Sequence, residues 1–587
     1  MSAHHEPGHE HGHEHYHEDT VGNAIAADAA ADLAIAESDL SPAERSRRSF
    51  LTRMGLLGIA AGVAGIATPF AGAATAKASS AAPARALALD AVSGPESADD
   101  VQWLAGDHHI HTQYSPDALY RVMQQVEHAK LHGIDWMVIT DHGGVDHQKY
   151  SVDLTYPDIL ASRAAYPDML IFHGLEWNIP SAEHGTVFVA PGAGERDVLK
   201  MFEGSYDGTV NGWGSSSASH ESHALDGLLF LRDAVTNGAV DDALFLANHP
   251  ARKGLDSPHE IRNWRDTAPE IAVGMEGAPG HQAAGIPAPF GTGAGRGFYD
   301  NSPSANSFAA YPLESYLTHG GFDWMTAKVG GLWDSLLAEG KGWWISANSD
   351  SHTIWRDTWA NTGSYTGGKW GDPIDTLVSN AGFGDFAPGQ YSRTVVGARR
   401  RNYASVMAAI RAGRVWVSHG ELIRSLQVTA SSSDDHGATL GGTLVVRQGR
   451  DVKVRIEIGL NSGLNANGDA PRLRRVDLIA GPVTGPTTIP VAGITTGPDA
   501  NRDGFSAPGT SVVRQWDISA TKGKVVLTHT FENVDGPFYF RVRGTDGNVG
   551  GTATANDPTP PRMDPLGNSN PWADLWFYAN PVFVATR

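Results

Sequence analysis

The chain of 587 residues contains no cysteine. This excludes a disulfide framework, thiolate zinc and iron–sulfur centres, and a cysteine nucleophile. Basic residues are also in short supply: 44 Lys+Arg face 65 Asp+Glu, for a formal net charge of −21. Such a balance argues against electrostatic binding to nucleic acid or to an anionic membrane. Long hydrophobic runs are missing too, because the most apolar stretch, inside residues 54–78, is interrupted by glycines and Pro69 and makes no stable membrane anchor. What is abundant is histidine, at 26 residues.

The histidines fall into two groups. Seven lie in MSAHHEPGHEHGHEHYHEDT at the start, where no apolar residue recurs at helical or strand spacing. Residues 1–45 are therefore expected to be a disordered tail that either holds Zn²⁺ or Ni²⁺ weakly or has no specific role. Ser46-Arg47-Arg48-Ser49-Phe50-Leu51, followed by a Gly- and Ala-rich apolar stretch with Ala-x-Ala sites, resembles a twin-arginine signal peptide over residues 46–78. The resemblance implies the twin-arginine export machinery as a partner. It also implies a mature chain beginning near Ser79 that is secreted, periplasmic or associated with the cell envelope. Export of folded protein is consistent with a metal loaded before translocation. Residues 79–100 read as a linker.

Across residues 101–421, short apolar runs end in polar residues: WLAGDHHIH, DWMVITDH, MLIFHGLEWN, GTVFVAP, ALFLANHP, IAVGMEG, WWISANSDSH and RVWVSHG. Between them lie amphipathic stretches such as DALYRVMQQVEHAKLHG and NYASVMAAIRAGR. Alternating β and α predicts an α/β barrel with its chemistry at the C-terminal ends of the strands. Over residues 422–587 the period becomes two, in SLQVTA, TLVVRQG, DVKVRIEIG, RRVDLIAG, KVVLTHTFENV and FYFRVRGTDG. That pattern predicts an all-β, sandwich-like C-terminal domain closed by LWFYANPVFVAT.

The strand ends carry metal-ligating side chains. His109-x-His111 closes the first run, where alternation places both imidazoles on one face. Asp141-His142 closes the second and Glu176 the third; His184 begins the next, His249 follows in Asn-His-Pro, and Asp350-x-His352 ends the last. All are nitrogen or oxygen ligands suited to Zn²⁺, Mn²⁺ or Fe²⁺. One H-x-H is a weak signal, whereas such elements at successive strand ends point to one shared centre.

The motifs DHHIHTQYSPDA, VITDHGG, FHGLEWN with EHGTVF, ANHP and SANSDSH resemble the PHP family, the polymerase and histidinol phosphatase superfamily, over about residues 106–420. The resemblance implies a distorted (β/α)₇ TIM-like barrel that holds up to three divalent ions. Carried over by motif, it implies His109, His111, Glu176 and Asp350 around a first ion. Glu176 would bridge to a second ion held with His184 and His249, and Asp117, His142 and His352 would hold a third. Asp117 is matched by its place in the Ser-Pro-Asp turn that follows His111. Ser-Asp-Ser-His, the GRVWVSHG strand and the NPVFV ending look like one branch, the carbaryl-hydrolase or CehA/McbA type.

With Asp117, Glu176, Asp350 and one bridging hydroxide, three divalent ions would keep a formal charge of about +2, which favours an anionic substrate. The leading expectation is therefore an exported PHP metal-dependent hydrolase, a phosphoesterase acting on a small anionic ester through a metal-bridging hydroxide at a trinuclear site. The branch resemblance favours a carbamate or carboxylic ester instead. The His-rich tail together with export leaves a non-catalytic metal-binding protein as a third reading. Around the centre, Asp141 is expected to orient an imidazole or cap a strand. Arg252, Lys253 and Arg356 act as phosphate clamps or are solvated loop charges, and His281 is a candidate general acid.

Other features have plainer readings. Strand alternation turns His108 away from the metals, and His128 with His132 sits on an exposed helix face rather than forming a metal pair. Trp324, Trp333, Trp343, Trp344, Trp355, Trp359 and Trp370 either line an aromatic pocket or pack the core. Asp499-x-Asn501-x-Asp503-Gly504 matches the first half of a Ca²⁺ loop, but Thr510 replaces the usual Glu, so a turn competes with calcium.

Overall fold

In the computed structural model, every apolar run of residues 101–421 folds as a strand. The structure describes residues 101–587 apart from 146, 149–151, 301, 358, 362–372, 376–381, 434, 486–501 and 548–569. The expected tail, signal segment and linker lie outside these residues. β1 (Gln102–Asp107), β2 (Trp136–Ile139), β3 (Leu170–Asn178), β4 (His184–Val189), β5 (Ala243–Ala247), β6 (Ala272–Ala278) and β7 (Trp344–Ala347) hydrogen-bond side by side in that order. β2 and β5 are buried at every residue, which is why they read as continuous apolar runs rather than alternating ones.

The connecting helices are α1 (Val122–Leu131), α2 (Val152–Ala165), α3 (Glu195–Tyr206), α4 (Ala218–Thr236), α5 (Pro258–Thr267), α6 (Trp324–Ala327), α7 (Leu332–Leu337) and α8 (Tyr403–Arg411). α5 shows how locally these are encoded. Ser257 Oγ accepts from the Glu260 N–H at 3.2 Å, the Glu260 carboxylate accepts from the Ser257 N–H at 2.9 Å, and Pro258 opens the helix.

The expected (β/α)₇ ring is altered in two ways. β4 runs antiparallel to both β3 and β5, because residues 179–183 are too few for the crossover that parallel neighbours require. Among the described residues, no ladder joins β7 to β1. After a short pair, β8 (Trp359–Asn361) and β9 (Pro373–Asp375), the strand β10 (Ser392–Ala398) takes the free edge of β1 antiparallel and itself pairs with β11 (Val415–His419). Between these edges, an isolated bridge links Ile110 with Ser351, and the Thr394 hydroxyl of β10 bonds both the N–H (2.8 Å) and the C=O (2.6 Å) of Ala347.

The C-terminal half is largely β, with β12 (Ile423–Ser432), β13 (Asp435–Ala438), β14 (Thr443–Val446), β15 (Arg450–Leu460), β16 (Arg475–Pro482), β17 (Ser511–Asp517), β18 (Lys524–Val534), β19 (Phe538–Thr545), β20 (Trp576–Ala579) and β21 (Val582–Thr586). One sheet has the order β13-β12-β15-β18. Its inward residues, such as Val452, Val454, Ile456 and Ile458, share a core with Val476, Leu478, Phe540 and Val542 of the facing strands. That facing sheet is not separate from the first half: β20 pairs with β11, so one fifteen-stranded sheet runs through both. The described residues accordingly belong to one compact unit. No helix among the described residues is long and apolar enough to cross a membrane.

Polar contacts also tie the halves together. His259, at the start of α5, donates from Nδ1 to Asp503 at 2.6 Å, and its Nε2 lies 3.3 Å from Glu221. Burial opposes the imidazolium, but the bonds to Asp503 and Glu221 outweigh it and push the imidazole up to about 10. Because this value lies above that of the unfolded chain, the stabilisation is fully present below about pH 6.5 and drains away as pH rises towards 10. Denaturant midpoints should therefore fall over that window in the wild type. His259→Gln should flatten that part of the profile, and an unchanged slope in the variant would exclude the His259 contact as the cause.

Candidate functional site

The turns at the strand ends converge on one carboxylate. Glu176 near the end of β3 places Oε1 at 3.1 Å from His109 Nε2, 3.0 Å from His184 Nδ1 and 3.3 Å from His249 Nε2. Its Oε2 lies 2.6 Å from His142 Nδ1 and 3.4 Å from His111 Nε2. Asp350, in the loop after β7, adds Oδ1 at 3.2 Å from both His109 Nε2 and His111 Nε2. On the solvent side, Asp117 Oδ2 is 3.3 Å from His142 Nε2 and Oδ1 is 3.5 Å from His352 Nε2. The structure thus brings together all nine residues that the motifs single out.

Local backbone geometry makes this convergence possible. A bridge between His142 and Glu176, with the Gly143 N–H donating to the Glu176 carbonyl at 2.7 Å, registers the ends of β2 and β3. His249 (φ 31°), His281 (φ 51°) and Asp350 (φ 47°) all adopt the left-handed region, which is unfavourable for side chains of their size and is characteristic of functional sites. Asp350 is held in place from two sides. Asp107 accepts from the Ser349 N–H at 3.0 Å, and Gly280 lets the chain pass so closely that a Cβ there would meet Asp350 Cβ at 2.1 Å.

The donor atoms fit divalent cations. Within this cluster, His111 Nε2, Glu176 Oε2 and Asp350 Oδ1 are buried without a hydrogen-bond partner. His142 and His352 face each other Nε2 to Nε2 at 3.1 Å, where at most one hydrogen can sit between two lone pairs. Donor atoms of His109, His111 and Asp350, of His142, Glu176 and His184, and of His111, His142 and His352 each lie within 4.8 Å of one another. The donors are imidazole nitrogens and carboxylate oxygens alone, the set that Zn²⁺, Mn²⁺ and Fe²⁺ accept.

The close packing of acids and imidazoles sets their protonation. Burial alone would push Glu176 up, but His184, His109 and His142 hold its carboxyl well below the usual range. Asp350 is likewise held down, against its burial, by His109 and His281. His142 is pushed up to about 10 by Glu176 and Asp117, again against burial. His111 moves the opposite way, lowered by burial and by the neighbouring His352 and His142. The carboxylates therefore stay charged, whereas His109, His142 and His184 favour the protonated form next to them and would each have to release a proton on ligation.

This cluster opens onto a cleft of about 420 Å³, a volume typical of small-molecule sites. Residues 107–268 match the PHP domain. Asp350 and His352 lie beyond the matched span and reach the cluster through β7. No significant match is found among curated proteins. Among solved structures, the chain is similar to a two-domain protein from Bacteroides vulgatus described as containing a predicted PHP-like metal-dependent phosphoesterase. That match has 13% identity and a TM-score of 0.31, and covers 79% of this chain and 95% of that one. A second match is to endonuclease Q in complex with an abasic duplex, at 15% identity and a TM-score of 0.19, covering 32% of this chain and 46% of that one.

The remaining sequence candidates around the PHP domain divide. His281 reaches the cleft: its Nε2 is 2.8 Å from Asp350 Oδ2 and its Nδ1 is 2.5 Å from Asp385 Oδ1. Arg252 also lines the cleft, with Nη2 3.8 Å from Glu183. Asp141 touches no imidazole among the cluster ligands. It accepts instead from the Thr112 N–H and hydroxyl and from Ser115 Oγ, and Ser115 Oγ in turn lies 2.9 Å from His111 Nδ1. Lys253 and Arg356 are not among the residues lining the cleft. Lys253 pairs with Asp300 at the surface, and Arg356 lies over the Trp355 and Phe290 rings. Both are drawn to the nearest countercharge or ring rather than to the cleft.

His108 turns inward to Ser346 Oγ at 2.8 Å, away from the cluster. The helix face holding His128 is half-buried rather than exposed, since His128 Nε2 meets Asp357 at 3.1 Å. Trp324, Trp333, Trp343 and Trp344 are buried and none lines the cleft. Trp370, Asp499 and Asn501 lie outside the described residues, and nothing is described of the Trp359 side chain. Asp503 is buried against His259 and Thr510 bonds Tyr539.

Three further residues support the cluster, and of these Asp107 opens the DHHIHTQYSPDA motif. Glu276, in β6, accepts from His109 Nδ1 and from the His249 N–H, both at 2.7 Å, and so orients two imidazoles at once. Its place near the end of IAVGMEG was a usable signal. Asp107 also stands at a strand end, and burial pushes it up to about 7. Asp385 accepts from the N–H groups of His352 (2.6 Å) and Thr353 (2.7 Å) as well as from His281, yet it sits in an irregular loop that offers no pattern to read.

Proposed function

We propose that the chain is an exported metal-dependent hydrolase of the PHP superfamily that cleaves phosphate esters at a centre of three divalent ions, Zn²⁺, Mn²⁺ or Fe²⁺. The observation that carries this reading is one buried carboxylate, Glu176, shared by five imidazoles beside crowded donor atoms that form no aligned hydrogen bond, at the floor of an open cleft. A metal store would need neither the bridge nor the opening. When bound, the ions would supply a hydrolytic nucleophile at neutral pH and neutralise charge on the reacting ester. His109, His111, Glu176 and Asp350 would hold the first, Glu176, His184 and His249 the second, and Asp117, His142 and His352 the third.

The chain's own residues do the rest. Arg252 presents a permanent positive charge to the cleft, suited to the non-bridging oxygens of a phosphoryl group. His281 lines the same space with Nδ1 held by Asp385 and Nε2 by Asp350, and would serve the departing oxygen as a donor only once Nε2 leaves Asp350. Export is supported by the Ser46–Leu51 twin-arginine-like segment.

Mature protein loaded with Mn²⁺, Zn²⁺ or Fe²⁺ should carry close to three ions per chain and hydrolyse aryl phosphates or phosphodiesters faster than matched carboxylic esters and carbamates. Elemental analysis and a parallel rate assay check this. Ester or carbamate cleavage with silent phosphates would overturn the substrate class. An absence of bound metal under replete conditions would sink the enzyme reading altogether.

A further inference from the structure

We infer that the centre prefers esters whose leaving group is a flat aromatic ring, and that Phe298 is the specificity-determining residue; this deepens, and rests on, the phosphoesterase reading. Among the described residues, Phe298 is the one apolar side chain in a cleft wall otherwise made of charged and polar groups. It is 40% exposed, whereas Trp136, Trp177, Trp264, Trp333 and Trp343 are all fully buried. Leaving such a ring against water forgoes its burial, and the surrounding structure nevertheless holds it there.

Two features do the holding. Phe298 has φ 53°, a left-handed backbone that is a genuine outlier for a bulky residue. Gly384 passes under the ring, where a Cβ would come within 2.5 Å of Phe298 Cζ. The orientation is equally specific. The Phe298 ring lies 5.1 Å from the His281 ring, and His281 lies 5.3 Å from His352, so three rings step outward from the metal-ligating cluster. A phosphoryl group seated beside Arg252 and the ligand cluster would direct its ester oxygen towards His281 and its leaving group onto Phe298. An alkyl group finds little there, whereas an aromatic ring gains an offset or edge-on partner, worth about tenfold in affinity.

The test uses metal-loaded mature protein and two non-hydrolysable probes, phenylphosphonate and methylphosphonate, titrated calorimetrically into wild type, Phe298→Ala and Phe298→Trp, with bound metal per chain measured in each. Wild type should bind phenylphosphonate about tenfold more tightly than methylphosphonate. Phe298→Ala should lose that ratio, and Phe298→Trp should keep it. Equal affinity for the two probes in wild type, or a ratio that survives in Phe298→Ala at unchanged metal content, overturns the assignment. A retained phosphonate ratio in a protein that hydrolyses no phosphate ester would overturn the phosphoesterase reading alone. Failure of both probes to bind would overturn both readings.

Discussion

Replacing Glu176 by alanine is expected to strip bound divalent ions from the cluster and to slow ester hydrolysis by roughly 10³-fold or more, the scale on which losing several kcal/mol of transition-state stabilisation acts. The reason is geometric. Both carboxylate oxygens are shared, Oε1 by His109, His184 and His249 and Oε2 by His111 and His142, so no other side chain can replace the bridge. Removing it leaves five imidazoles around a cavity with Asp117 and Asp350 as the remaining carboxylates among the nine clustered residues. Glu176→Gln tests charge against shape: it keeps the volume, loses the negative charge, and should retain the fold while binding less metal. The measurements are metal content by elemental analysis and the rate on an aryl phosphate. Wild-type activity in Glu176→Ala would show that another residue bridges.

Asp334→Ala is expected to destabilise the protein by about 3–5 kcal/mol, the cost of leaving a buried charge without its partner. Arg541 of β19 makes two bonds of 2.8 Å to Asp334 of α7, with both side chains fully buried, and its guanidinium also lies 4.7 Å from the Trp333 ring. The pair crosses from the β-rich C-terminal part to the α/β part, so its loss should loosen their junction as well as lower overall stability. Asp334→Leu combined with Arg541→Met removes both charges and should recover most of the loss, because two apolar side chains need no compensation. Denaturant unfolding of the single and double variants measures this. A single variant within about 0.5 kcal/mol of wild type would mean that the pair carries no net stability.

Much of the centre is legible because its ligands sit where periodicity is strongest. His109 and His111 follow β1, His142 follows β2, and Glu176 belongs to β3; each lies in or directly after an apolar run whose end is visible in the sequence. The groups that orient them are harder to see. Glu276 meets His109 across 167 positions and Asp385 meets His281 across 104, distances over which no local pattern operates. Arg356 and Lys253 show the converse: being next to a motif put them on the list of candidates, while local partners drew them elsewhere.

Strand identity, the change of period after residue 421 and the ligand types follow from local physical chemistry, since side-chain alternation and burial act within a few residues. Three outcomes required the folded chain. These are the pairing of β10 with the free edge of β1, the β20–β11 pairing that joins both halves into one sheet, and the placing of an exposed Phe298 beside His281. Each depends on which distant backbone edge or ring is nearest once the core has closed, and that is decided by packing among residues far apart in the chain.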